Sequence, residues 1–222
     1  MIYIQFLLYR KGKFMKKSIL TLCALLLCTA AGTVVSAQET ELSTEEAAVK
    51  EGWMLYTSAS SELYTIEVPD DYIELSADTL DTLMDTVGED VFENAGLDLS
   101  ILGSIDYSNT DYLYSADMLS NLNVQISKAS GLTQDMITSM KDDLDAQMAA
   151  TYMAIGVAEE DCEPMDVEQI GENTFYRYTV SMMDSTMHQY IICNEDTDMF
   201  TITFTNFDEE IEKEIIESWK LL

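Results

Sequence analysis

Four strand-like runs follow one another in the last third of this 222-residue chain, near 163–170, 174–183, 186–194 and 199–205. Their separators are Gly171-Glu172-Asn173, Asp184-Ser185 and Asn194-Glu195-Asp196-Thr197-Asp198, all rich in turn-forming residues. Connections this short only reverse the chain; a parallel neighbour would need a crossover of a dozen or so residues. The runs therefore predict an antiparallel meander. Upstream, Glu62 to Val68 alternates as a strand stopped by Pro69-Asp70-Asp71, and 104–130 is strand-like again, ending in Val124-Gln125-Ile126-Ser127.

Helical spacing interrupts the strands three times. Leu80, Leu83, Met84, Val87, Val91 and Phe92 mark one stripe within 77–103. Ile137, Met140, Leu144, Met148 and Tyr152 mark a second, on a helix from about Thr133 to Ala154. Asp208 is placed to cap a third, with Ile211, Ile215, Ile216 and Trp219 as its apolar side. The expected class is α+β, an antiparallel β-sheet with helices packed on it, with a helical insertion near 77–103. Residues 38–61 read as a tether with a short helix opened by Ser43-Thr44-Glu45-Glu46, and 62–222 as one domain.

Several segments together resemble the PsbP-like α/β/α sandwich shared by photosystem extrinsic proteins and many exported bacterial proteins. They are Tyr64-Thr-Ile-Glu-Val-Pro-Asp-Asp-Tyr72, Asn123-Val-Gln-Ile-Ser127, Tyr190-Ile-Ile with Phe200-Thr-Ile-Thr-Phe-Thr205, and Ile216-Glu-Ser-Trp219. Such proteins often carry Trp where Tyr72 stands. The resemblance implies a fold, because none of these motifs is catalytic.

Charge is divided sharply along the chain. Residues 1–37 hold Arg10, Lys11, Lys13, Lys16 and Lys17 and no acid, whereas the following 185 residues carry six cations against 41 carboxylates, a formal −35. The basic start has the form of an export signal, with Met15 as the expected start. Met15-Lys16-Lys17 is its charged region, Ile19 to Ala31 its apolar region, and Val35-Ser36-Ala37 its small-residue exit, with cleavage expected between Ala37 and Gln38. A lipid anchor on Cys23 or Cys28 is disfavoured because Leu22 and Leu27 are large. After cleavage no transmembrane segment is expected, and the expected address is secreted or envelope-associated. A body at −35 does not neutralise phosphates, which excludes nucleic acid as a partner. A protein or a cell-envelope component is the expected partner instead.

Candidate chemistry is sparse. Among the acidic clusters the Asn194–Asp198 turn gathers Glu195, Asp196 and Asp198, oxygen ligands of the kind calcium takes, although no complete calcium-loop motif is present. A solvated turn is the plainer reading, and no cofactor is expected. Tyr107, Tyr112 and Tyr114 lie in a polar stretch and are candidate ligand contacts, since amphipathic rings suit sugar or protein surfaces. The alternative is ordinary strand packing. The one histidine, His188, falls in a strand without a nucleophile motif around it, so no catalytic residue is assigned. Cys162 and Cys193 are expected to remain free thiols, about six residues and two strands apart, with Cys162 level with Met182 and Cys193 with Tyr176. The reading is an exported, acidic, non-enzymatic binding or accessory module; the alternative is a carboxylate-dependent hydrolase or a calcium-binding protein. A concave site where carboxylates converge, one of them buried, would favour the hydrolase.

Overall fold

The computed structural model describes residues 49–58, 61–76, 79, 82, 107–117, 119–129, 132–182, 185–194 and 198–222. The expected leader with its Ala37/Gln38 junction, the Ser43–Glu46 helix start, Glu195 and Asp196 lie outside them. So does the segment 77–103 with its whole apolar stripe, apart from Thr79 and Thr82.

The strands are β1 (Trp53–Thr57), β2 (Tyr64–Pro69), β3 (Ile73–Leu75), β4 (Thr110–Tyr114), β5 (Asn121–Lys128), β6 (Cys162–Ile170), β7 (Asn173–Met182), β8 (Ser185–Cys193), β9 (Asp198–Thr205) and β10 (Lys220–Leu221). The helices are α1 (Gln134–Ser139), α2 (Lys141–Ala154) and α3 (Glu209–Glu217). One sheet has the order β1-β2-β10 and the other β3-β4-β5-β9-β8-β7-β6. Every pairing is antiparallel, so the α+β class and the meander β6–β9 stand as expected.

The large sheet packs on both faces. One face carries Leu122, Val124, Phe175, Tyr190, Phe200, Ile202 and Phe204 against Tyr64 and Ile66 of β2 and Ile215, Ile216 and Trp219 in and after α3. Trp219 stacks on Tyr64 at 4.4 Å and meets Phe200 edge-on at 5.5 Å. On the other face Tyr176, Tyr178, Val180, Met187 and Ile191 pack against Ile137 of α1 and Tyr152 of α2. Alternation along each strand divides the residues between these two cores.

Four expectations are corrected. Residues 53–57, inside the stretch read as tether and short helix, form β1, with Tyr56 opposite Ile66. Gly52, at φ 77, lets the chain turn into this strand, and five residues are too few to display an alternation. The 133–154 helix breaks at Met140, which is 42% exposed rather than on the buried stripe. In the last helix Ile211 faces solvent and Glu212 takes its place in the core. Finally, Cys162 stands opposite Val180 instead of Met182: the pairing of Ile170 with Asn173 at the turn moves the register by one residue and the shift between Glu163 and Asp166 by one more, and Ile191, not Cys193, stands opposite Tyr176. Val180 faces Met187, and Cys193 lies six positions further along β8, so the separation survives and both thiols are free.

Among the described residues no helix is long and apolar enough to cross a membrane.

Candidate functional site

The alternation of β8 turns His188 and Tyr190 toward α3 and turns Met187 and Gln189 toward α2. On β7, Arg177 stands opposite Tyr190, and Glu168 comes from β6 on the same side. The helix above is set by two local devices. Asn206, at φ 58, turns the chain out of β9, and the Asp208 carboxylate accepts the backbone N–H groups of Glu210 and Ile211 at 2.9 and 3.4 Å. One turn later Glu212 points down into the sheet, 4% exposed.

These side chains form one hydrogen-bonded chain. His188 Nδ1 lies 2.8 and 2.7 Å from the two Glu212 oxygens, and the Tyr190 hydroxyl donates to Glu212 Oε1 at 2.7 Å. Arg177 Nη2 is 3.1 Å from His188 Nε2, and Nη1 donates to Glu168 Oε1 at 3.0 Å. A guanidinium only donates, so Nε2 is the acceptor and the proton sits on Nδ1, facing Glu212. The Glu212 carboxylate thus accepts from two sides. Burial, then the neighbouring Glu212 charge, raises the Tyr190 hydroxyl well above its ordinary pKa. Burial works against the Arg177 charge, but the bond to Glu168 keeps its pKa above the usual value.

Two recesses flank the chain. One of about 360 Å³ is lined by Thr186, His188, Asn206, Phe207, Glu209 and Glu212. The other, about 640 Å³, runs from the β6–β7 turn along α3, with Glu168, Arg177, Tyr190, Glu209, Glu212, Lys213 and Glu217 among its walls. Carboxylates do converge here around one buried member, Glu212. Apart from His188, which has no nucleophile motif around it, none of these residues stands out in the sequence as a site. A signal was present: Glu212, Ile215, Ile216 and Trp219 recur at helical spacing, which puts a glutamate on an apolar stripe.

Of the candidate ligand residues named from sequence, Tyr107, Tyr112, Tyr114 and Asp198 lie elsewhere. Tyr112 and Tyr114 are buried on the opposite face of the large sheet, and Tyr107 is half-buried with its ring edge-on to Tyr112 at 5.6 Å. Burial raises the Tyr107 hydroxyl to about 12. Tyr112 and Tyr114 are thus not the exposed rings a surface contact requires. Asp198, of the turn considered for calcium, is buried and pairs with Lys128 at 2.7 Å. Among the described residues no group of three or more His, Cys, Asp or Glu side chains is arranged to hold a metal ion. Another buried carboxylate, Asp111 of β4, accepts from Ser58 at 2.6 Å and Tyr64 at 2.7 Å, and ties the small sheet to the large one.

No family model matches the chain, and no curated protein matches it. A solved structure from Bacteroides thetaiotaomicron VPI-5482 is similar, with 12% identity and a TM-score of 0.47 over 76% of this chain and 48% of that one. The chain therefore spans about half the length of that protein.

Proposed function

We propose that this protein is an exported, non-enzymatic binding or accessory module of the PsbP-like kind, working on a protein or cell-envelope component through the recess along α3. One observation carries the reading: the polar groups at the centre of the recess already hold each other. Both nitrogens of His188, the chain's one imidazole, are engaged, and Glu212 accepts two donors. A general base must have a lone pair free to take the substrate's proton, and a nucleophile must be within its reach. Here the network orders a wall instead.

The PsbP-like reading is supported by the positions of the resembling segments, which supply β2, β5, β8, β9 and the end of α3. Export rests on the leader pattern; intact mass of secreted material beginning at Gln38 supports it, and a lipid-modified Cys28 as first residue would overturn cleavage before Gln38 and make the protein membrane-anchored.

The hydrolase reading has a specific observation in its favour, the convergence of Glu168 and Glu209 near buried Glu212. Two assays on the mature chain separate the readings. Saturable binding of tetralysine, weakened by Glu209→Gln with Glu217→Gln, and no turnover of chromogenic esters, glycosides or peptides, supports the binding module. Turnover that disappears in Glu212→Gln overturns it.

A further inference from the structure

We propose that the lower half of β6, residues 166–170, accepts an extended basic segment of a partner protein as an added strand of the large sheet. The inference rests on the binding-module reading and names the partner chemistry of that same face.

β6 is the outermost strand of its sheet, so alternate backbone N–H and C=O groups turn away from β7. Its two halves treat this edge differently. In the upper half Pro164 has no N–H to offer, the register shifts between Glu163 and Asp166, and the Met165 N–H is taken by Asp145 of α2 at 2.7 Å. That half is closed to pairing. The lower half is regular, from Asp166 opposite Arg177 to Ile170 opposite Asn173.

Side chains decide what such an edge can take. Asp166 and Glu168 would meet their own kind if a second copy paired there, and like charges directly opposite destabilise a ladder. A strand carrying Lys or Arg meets the opposite sign, and the body's −35 draws it in. Val167, 51% exposed, offers an apolar contact on the other face of the same edge. Beside Glu168 and Ile170 opens the larger recess, about 640 Å³, with Glu209 and Glu217 on its far wall as receivers for a basic side chain. Backbone pairing would supply affinity, and the alternating pockets specificity.

The test uses a fluorescein-labelled peptide of alternating Lys and Val, the same peptide N-methylated at alternate residues, and a Glu–Val counterpart. Expected are saturable anisotropy with the Lys–Val peptide, little with the other two, and new amide-exchange protection over 166–170. Val167→Lys, at an exposed position, should weaken binding by at least about tenfold. If the N-methylated peptide binds as tightly as its parent, charge alone is responsible and strand addition is overturned while the binding-module reading stands. Protection of 166–170 in the free protein, rising with its concentration, would make a second copy the occupant and overturn the proposal. No binding of the Lys–Val peptide overturns it as well; if tetralysine also fails, the binding-module reading fails with it.

Discussion

His188 on β8 holds both carboxylate oxygens of Glu212 on α3, at 2.8 and 2.7 Å, across 24 residues of sequence. The contact makes a glutamate tolerable on the buried side of a helix. It also fixes the imidazole so that its second nitrogen can receive Arg177, which extends the network to Glu168. Removal of Glu212 leaves the Tyr190 hydroxyl and the His188 N–H buried without acceptors. Glu212→Ala is therefore expected to cost about 2–4 kcal/mol, and Glu212→Gln less, because the amide oxygen still accepts. Urea unfolding measures both, and a loss below about 0.5 kcal/mol for the alanine variant would mean that water replaces the carboxylate.

Alkaline pH should destabilise the fold. Burial comes first among the causes that raise the hydroxyls of Tyr64, Tyr114 and Tyr190 above their ordinary value. Such a group contributes stability that is fully present below its unfolded pKa, near ~10, and is lost as pH rises from there toward the folded value. Melting temperature should thus fall from about pH 10 upward. Tyrosinate absorbance should appear together with unfolding, and a smooth titration of these tyrosines in the folded protein would contradict the account.

Salt should stabilise the 38–222 chain at neutral pH. Its formal −35 is self-repulsion that a folded body concentrates and that added ions screen. Two carboxylates with displaced pKa values pull in opposite directions. Burial raises Glu74, so its contribution is lost as pH rises through the folded value; the Ser115 hydroxyl lowers Asp117, so its contribution is lost as pH falls. With these opposed, repulsion decides, and stability should rise from pH 7 toward about 5. Scans in sodium chloride and across that pH range check both parts; melting curves that fall steadily toward pH 5 would show paired carboxylates in command.

Thiol titration of residues 38–222, which leave out Cys23 and Cys28, should find two groups in unreduced, unfolded protein, because Cys162 and Cys193 sit on strands separated by β7 and six positions apart in register. In the folded protein Cys193 should react slowly at neutral pH, since burial raises its pKa to about 11 and leaves little thiolate. A count of zero after unfolding would overturn the strand layout.

Local patterns carried the meander and its reading as α+β, because β6 to β9 are long enough to alternate and their turns too short to do anything but reverse. The Asp208 cap was legible for a similar reason: capping is decided within three residues. β1 was not legible, since a five-residue strand takes its identity from pairing with β2. Nor was the break at Met140, which no Gly or Pro marks. The site lies at the far end of this scale. Arg177, His188, Tyr190 and Glu212 come from three elements and have no shared spacing, so their convergence is a product of strand register and of how α3 lies on the sheet. The sequence determined by itself which residues of the long strands alternate, where those strands turn back and how far the charge leans. Tertiary structure alone decided that Glu212 lies buried beside His188, because a buried carboxylate is stable only where packing brings it the donors that water would otherwise supply.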